Sequence, residues 1–204
     1  MLKNTKLIWG ISILIIVIIA GVGIKNSIYK ILYGVLSGPM KFERIMKKDI
    51  AAIPDEDLAY AVMNWMWGKF NSDWSNEYEV ITSLPEPCQN IYSVYTVEGE
   101  VNNGGFNQCY YNSSRAFTQM AVKGFRAISA EGFSDIMTKA NTLYDEIKED
   151  LEQYYDGTIE SFSKSYENNP LNELDDEFME QYEKEPLDKL YIDYIREHAE
   201  FFGD

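Results

Sequence analysis

The chain has 204 residues, of which 46% are hydrophobic and 14% aromatic, and this composition excludes a chain that is disordered throughout. Residues 1–48 hold eight Lys or Arg and one Glu, a net charge of +7, whereas residues 49–204 hold ten Lys or Arg and 32 Asp or Glu, a net of −22. A body this acidic repels nucleic acid and anionic lipid headgroups, so its natural partners are basic protein surfaces or metal ions.

The first predicted element is a transmembrane helix over residues 7–24, which follows a short basic tail, residues 1–6. The segment has 18 residues and no charge, and a helix of that length spans about 27 Å, close to the roughly 30 Å hydrocarbon core. A cleaved signal peptide is the alternative, but its apolar region is normally shorter and no clear A-x-A site is present. We therefore expect an uncleaved, single-pass membrane anchor.

The orientation of this anchor is left open by the charges around it. A series of cations from Lys25 to Arg44 follows the apolar segment, and the positive-inside rule then favours a cytoplasmic acidic domain. Lys3 and Lys6 precede the segment, and a short basic tail of this kind also suits the opposite orientation.

Residues 25–53 are predicted to form an amphipathic basic stalk, interrupted at Gly38-Pro39, that lies along the membrane or packs on the domain. The acidic helical domain is predicted over residues 54–204. It begins where Pro54 is followed by three carboxylates, which is a favourable start for a helix.

Apolar residues recur at helical spacing through most of this domain, which predicts an all-α fold: a compact multi-helix domain after one N-terminal transmembrane helix. Residues 71–79 are predicted as a polar linker, and Glu79–Thr82 carries the one weak strand-like alternation. The predicted helix starts are marked by proline or serine, at Pro54, Pro85 or Pro87, Ser114, Ser134, Pro170 and Pro186.

No pattern for a nucleophilic triad, a phosphate-binding loop or a catalytic metal occurs, so we expect no enzyme activity, no cofactor and no metal site. His198 lies on the apolar stripe of the last predicted helix, where a structural role is the simplest interpretation. Cys88 and Cys109 are interpreted as unrelated buried thiols, with a disulfide left open for an oxidising compartment.

Carboxylates are concentrated on the predicted helix that follows Pro170. Its apolar stripe, from Leu171 to Tyr182, predicts which face is buried, and five carboxylates then face mostly outward: Glu173, Asp176, Glu177, Glu180 and Glu183. Neighbours three or four apart lie about 5–6 Å apart at Cβ, so such a row approaches the spacing of nucleic-acid phosphates. The alternative is that these residues only keep the surface soluble.

Residues 101–114, VNNGGFNQCYYNSS, resemble the signature of a bacterial family of unknown function, roughly V-x-N-G-G-F-x-Q-[FY]-[FY]-x-N-S. That family includes the C-terminal domain of an acidic DNA-mimic protein, and the resemblance covers roughly residues 55–202. It implies an all-helical domain whose carboxylates replace DNA phosphates on the surfaces of other proteins. It also adds Asp175 to the protein-binding candidates, because an acidic stretch of the family matches at this position.

The signature residues are interpreted as structural, with a ligand site as the alternative. Asn103, Gly104 and Gly105 are expected to form a turn that Phe106 anchors. Gln108 and Asn112 are expected to bond loop backbone. The sequence departs from many relatives at Arg115, where they have glycine, and in its membrane anchor.

Together these patterns predict a non-enzymatic, membrane-tethered acidic domain that docks a cationic protein surface, with mimicry of DNA phosphates as one form of this function. It would contact the membrane through residues 7–24 and would not bind nucleic acid directly. An immunity or toxin-neutralising protein is the alternative, and an enzyme is the least favoured class. The sequence leaves open the partner and whether the chain forms a homodimer.

Overall fold

The computed structural model describes residues 45–204. The predicted tail, the predicted anchor over residues 7–24 and most of the predicted stalk lie outside the described residues. None of the helices within residues 45–204 combines the length and the apolar character that a membrane crossing needs.

The described residues form a compact helical body without a strand, so the all-α prediction is confirmed. The α-helices are α1 (Asp55–Trp67), α2 (Glu77–Ser83), α3 (Glu86–Tyr111), α4 (Thr118–Ala127), α5 (Glu131–Glu152), α6 (Ile159–Lys164), α7 (Leu171–Gln181) and α8 (Leu187–Glu197). Short 3₁₀ helices lie at Lys47–Ala52, Ser113–Phe117 and Ala199–Phe201.

Prolines mark four helix starts as predicted: α1 follows Pro54, α3 follows Pro85, α7 follows Pro170 and α8 follows Pro186. Proline suits this place because the first turn of a helix has no internal acceptor for its N–H groups.

The two predicted serine caps are wrong. Ser114 lies inside a 3₁₀ helix and its hydroxyl donates to the carbonyl of Cys109 at 3.2 Å. Ser134 lies within α5 and donates to the carbonyl of Val122 at 2.9 Å. Both residues are buried, and a buried hydroxyl needs a partner, which each finds in a neighbouring carbonyl.

The strand-like pattern at Glu79–Thr82 is also wrong, because these residues belong to α2. The hydroxyl of Thr82 donates to the carbonyl of Tyr78 at 2.8 Å, and Ile81 is fully buried. One buried apolar residue in a single helical turn gives the same short alternation as one face of a strand.

Helix α3 is the centre of the body and contacts α2, α4, α7 and α8, while α5 packs against α4 and α7. The close approach of α3 and α4 depends on Gly124, where a Cβ atom would lie 2.7 Å from Val94 and 2.8 Å from the carbonyl oxygen of Asn90. Aromatic rings fill the space between α3, α5 and α7: Phe133 and Phe178 meet edge to face at 4.8 Å, and Tyr110 and Tyr144 stack at 4.0 Å.

The last residues of the predicted stalk pack on the helical body. The body therefore begins by residue 45, whereas the predicted domain begins at residue 54. Ile45 and Ile50 are buried. The N–H of Asp204 donates to the carbonyl of Ile45 at 2.9 Å. Arg196 of α8 donates to the carbonyl of Ile53 at 2.6 Å. These contacts join the two ends of the described chain.

Both cysteines are free and buried, as interpreted from the sequence. The thiol of Cys88 donates to the carbonyl of Phe201 at 3.2 Å, and burial raises the pKa of Cys88 to about 12. His198 stacks on Tyr194 with 4.1 Å between ring centroids and its Nδ1 lies 2.9 Å from the carbonyl oxygen of the same residue. Cys88, Cys109 and His198 therefore contribute to the packing of the fold.

Candidate functional site

The signature segment interrupts α3 rather than ending it. Gly104 and Gly105 leave the helical conformation, and the helix resumes at Phe106. Gly105 has φ +69° and ψ −178°, a combination that glycine adopts and other residues almost never do. The predicted turn is therefore a break inside one helix.

Asp175 of α7 covers the new helix start that this break creates. Its Oδ1 accepts a hydrogen bond from the N–H of Phe106 at 2.7 Å. Burial raises the pKa of Asp175 to about 6, although the Phe106 N–H lowers it and the nearby Asp176 raises it further. Asp175, which the family resemblance added to the protein-binding candidates, is thus a half-buried capping residue and lies apart from the exposed acidic row.

Phe106 anchors the break from below, as predicted. It is fully buried, and its ring meets Phe178 edge to face at 5.7 Å. The hydroxyl of Tyr166 donates to the carbonyl of Gly104 at 2.8 Å, which satisfies a carbonyl that the break releases.

Gln108 and Asn112 were expected to form hydrogen bonds with loop backbone. Instead, both donate hydrogen bonds to a carboxylate. Their side-chain amides donate to the same oxygen, Oε2 of Glu100, at 2.8 Å and 2.9 Å. A carboxylate is a stronger acceptor than a backbone carbonyl, and Glu100 and Gln108 both belong to α3, which Asn112 follows directly. The two signature amides therefore fix the position of one negative charge.

That charge lies in a cleft of about 410 Å³, which we call the aromatic cleft. Its principal lining residues are Trp67, Trp74, Tyr95, Glu77, Glu100 and Gln108. The Trp67 ring lies 6.2 Å from the Trp74 ring and 6.2 Å from the Tyr95 ring. Asn103 and Asn112 of the signature also line the cleft.

This cleft is not apparent from the sequence, because the apolar residues of α1 recur at helical spacing and are most simply interpreted as core residues. Trp65 is buried, but Trp67 is only half-buried and faces the cleft. Their neighbour in the predicted linker, Trp74, is 48% exposed. An exposed tryptophan among acidic residues is the signal that would have pointed to a surface site.

The acidic face of α7 is the second candidate surface. We define it by Glu173, Asp176, Glu177 and Glu180, all of which are exposed. Glu177 pairs with Lys139 of α5 at 2.7 Å. The other three form no ion pair with any residue in the range 45–204. Glu183, the remaining candidate, is exposed in the turn after α7.

Most Lys and Arg side chains of the described body are paired with a nearby carboxylate, and the remaining carboxylates have no ion-pair partner among residues 45–204. The pairs are Lys69–Asp204, Arg126 with Glu131 and Asp135, Lys139–Glu177, Lys148–Asp145, Lys164–Glu160, Lys189–Asp193 and Arg196–Asp55. Arg115, which departs from the family pattern, donates to the hydroxyl of Tyr144 at 3.0 Å. Because Asp and Glu far outnumber Lys and Arg in residues 49–204, the cations offset only part of the negative surface potential.

The carboxylate of Glu98 also has a role inside the fold. Glu98 of α3 accepts hydrogen bonds from the hydroxyls of Tyr182 at 2.6 Å and Tyr191 at 2.5 Å, and Asn102 donates to Tyr182 at 2.9 Å. Burial raises the pKa of Glu98, and the two phenol donors lower it. This cluster ties Tyr182, just after α7, and Tyr191 of α8 to α3, and it serves the fold.

Fold and charge together define an acidic, all-helical domain with two surfaces suited to cationic partners. Within residues 45–204, no three His, Cys, Asp or Glu side chains are arranged to hold a metal ion. A family model described as DMP19-like protein matches residues 82–198, more than half of the chain, and the chain belongs to this family. The family is named for a DNA-mimic protein. No curated protein matches the chain significantly.

Proposed function

We propose that this chain is a non-enzymatic acidic binding protein that docks on the cationic surface of a DNA-binding protein, where its carboxylates take the place of DNA phosphates. The observation that carries the proposal is the acidic face of α7, on which Glu173, Asp176 and Glu180 are exposed and unpaired within residues 45–204. Membership of the DMP19-like family supports the same function.

The geometry of a helix suits this role. Residues three or four apart lie about 5–6 Å apart at Cβ, so the carboxylates of this face form a row of regularly spaced negative charges. Their mutual repulsion costs only a few tenths of a kcal/mol per pair in water. A partner that brings arginines or lysines to the row relieves this repulsion. The same negative charge opposes any direct contact with nucleic acid.

The proposal includes a location. Residues 7–24 form an uncharged apolar segment, and we propose that it tethers the acidic domain to a membrane, on the side where DNA-binding proteins are found. The partner would then be a protein that reaches the membrane surface, and its release from DNA would take place there.

The test is a capture experiment with the full-length chain immobilised in a neutral detergent. Cell extract is applied, and the bound proteins are challenged with duplex DNA and with rising salt. We expect duplex DNA to displace them, and salt of about 0.5 M to release them, because screening shortens the reach of surface charges. The displaced proteins should themselves bind immobilised DNA.

A matched pair of variants identifies the surface. One replaces Glu173, Asp176 and Glu180 by their amides, and the other replaces three exposed carboxylates elsewhere: Glu79, Glu167 and Glu200. Both remove three charges, so long-range attraction falls equally. We expect the α7 variant to lose about tenfold in affinity and the control much less, since only the first loses direct contacts. Equal losses, or capture that resists salt, would contradict the proposal.

A further inference from the structure

We infer that the aromatic cleft is a separate binding site that accepts an arginine side chain presented by a partner protein. This site is distinct from the surface of the proposed function. The cleft is formed by α1, α2, α3 and the adjoining loops, whereas the acidic face belongs to α7.

The walls of the cleft are aromatic rings set at an angle to one another. The planes of Trp67 and Trp74 are inclined by 43°, and those of Trp67 and Tyr95 by 70°. Rings arranged in this way can present more than one π face to a single occupant. Aromatic faces attract cations, and tryptophan does so most strongly.

Trp74 is held in place although it is 48% exposed. Its backbone has φ +59°, a left-handed conformation that is rare for a bulky residue. The ring of Phe70 supports it edge to face at 5.2 Å, and Asp73 accepts a hydrogen bond from the N–H of Ser75 at 3.1 Å in the same turn. The exposed indole is therefore supported by Phe70 and by the turn, and such support lowers the entropy cost of binding an occupant.

Two carboxylates give the cleft its charge. Oε1 of Glu77 accepts a hydrogen bond from the hydroxyl of Tyr92, and Oε2 of Glu100 accepts from Gln108 and Asn112. The second oxygen of each carboxylate has no hydrogen-bond donor among residues 45–204. No lysine or arginine of the described chain lines the cleft. The site thus combines two oriented negative charges with an aromatic wall and has no cation from residues 45–204.

Arginine matches these features better than other cations. Its guanidinium is planar, so it stacks on an aromatic face while its N–H groups form hydrogen bonds with carboxylate oxygens in the plane of the guanidinium. A lysine ammonium is compact and more strongly hydrated, and it gains less from a flat wall. A volume of about 410 Å³ leaves room for the whole side chain.

The test is a titration of the full-length chain in neutral detergent with N-acetyl-arginine amide, followed by tryptophan fluorescence and calorimetry. N-acetyl-citrulline amide is the matched probe, because it has nearly the same shape without the charge, and N-acetyl-lysine amide tests the choice of cation. We expect saturable binding of the arginine probe, with both comparison probes at least about tenfold weaker.

Two variants connect that binding to the cleft. Glu100→Gln removes a charge and keeps an acceptor for Gln108 and Asn112, and Trp74→Ala removes an exposed wall. Each substitution is expected to lower the affinity for the arginine probe about tenfold. Glu79→Gln and the triple variant of the acidic face should bind the probe with the affinity of the wild type. Circular dichroism spectra and melting temperatures verify that each variant is folded.

Absence of binding, equal binding of citrulline or lysine amide, or full affinity in folded Glu100→Gln and Trp74→Ala chains would overturn the inference. None of these results bears on capture through the acidic face, so the two proposals fail separately. Capture of a DNA-binding partner with no binding of the arginine probe would leave the proposed function in place and remove the cleft from it.

Discussion

The carboxylate of Asp175 accepts a hydrogen bond from the N–H of Phe106 at 2.7 Å and so joins two residues that are 69 positions apart. Phe106 begins the second part of α3, where the signature glycines interrupt the helix, and Asp175 lies on the inner side of α7. The acidic face on the outer side of α7 is therefore positioned by the signature segment. This dependence explains how a motif with no exposed charge of its own can matter for a charged surface.

The Asp175 cap predicts an unusual pH dependence. Burial raises the pKa of Asp175 to about 6, from an ordinary value of 3.8, so the folded chain binds this proton more tightly than the unfolded chain does. Its contribution to stability is then fully present below about pH 4 and is lost as the pH rises to about 6. Asp175→Asn keeps an acceptor for the Phe106 N–H and cannot titrate.

We therefore expect wild type to lose stability relative to Asp175→Asn between about pH 4 and pH 6. Urea unfolding midpoints measured at several values of pH check this expectation. Glu173→Gln, on the exposed side of the same helix, is the control. Parallel pH profiles for wild type and Asp175→Asn would show that the carboxylate does not titrate in this way.

The helix break predicts that Gly105 is intolerant of substitution. A Cβ atom at this position would collide with the carboxylate of Asp175, and φ +69° is strained for any other residue. Gly105→Ala is expected to lower the free energy of unfolding by about 1–3 kcal/mol.

Gly99 provides the matched control for this substitution, because it lies in the same helix and a Cβ atom added there would meet nothing within 4 Å. Gly99→Ala should be neutral or stabilising by up to about 1 kcal/mol, since alanine is the better helix former. Urea unfolding of both variants gives the comparison, and equal losses in the two would contradict this account of the break.

Removal of one phenol hydroxyl from the buried Glu98 cluster is expected to lower the free energy of unfolding. Tyr191→Phe removes a donor from a buried carboxylate and is expected to destabilise the chain by about 1–3 kcal/mol at neutral pH. The loss should shrink as the pH falls, because Glu98 then takes up a proton and no longer needs the donor. Chemical unfolding at neutral and acidic pH measures both effects. Tyr60→Phe, which changes an exposed residue, should have little effect at either pH.

The predicted anchor can be tested by fractionation. The full-length chain is expected in the membrane fraction and should resist extraction with alkaline carbonate, whereas a chain that lacks residues 7–24 should not. Protease added to intact cells should leave the acidic domain uncut if it faces DNA-binding proteins, and cut it after the cells are opened. Cleavage in intact cells would exclude DNA mimicry in this chain.

Local patterns were enough to predict much of the fold. The apolar stripe of α7 was predicted from residue spacing, and the prolines at residues 54, 85, 170 and 186 marked helix starts. Both features depend on residues within one or two helical turns, so they can be recognised without knowledge of a packing partner. Ser134 misled for the opposite reason: its hydroxyl is satisfied by the carbonyl of Val122 in the preceding helix, which only the folded chain brings near. Ser114 misled because its hydroxyl bonds back to the carbonyl of Cys109 and does not cap the helix that follows.

The candidate sites show the same division. The sequence by itself determined the sign of the surface and the exposed carboxylates of α7, since charge and helical spacing are properties of the chain. Only the tertiary structure decided that Asp175 turns inward, that Gln108 and Asn112 hold Glu100, and that Trp67 and Trp74 form one wall. The break at Gly104 and Gly105 and the packing of α7 on α3 set the positions of Asp175 and Phe106. The partner of a side chain depends on which helices pack together. The packing of the whole body is favoured when few buried polar groups are left unpaired.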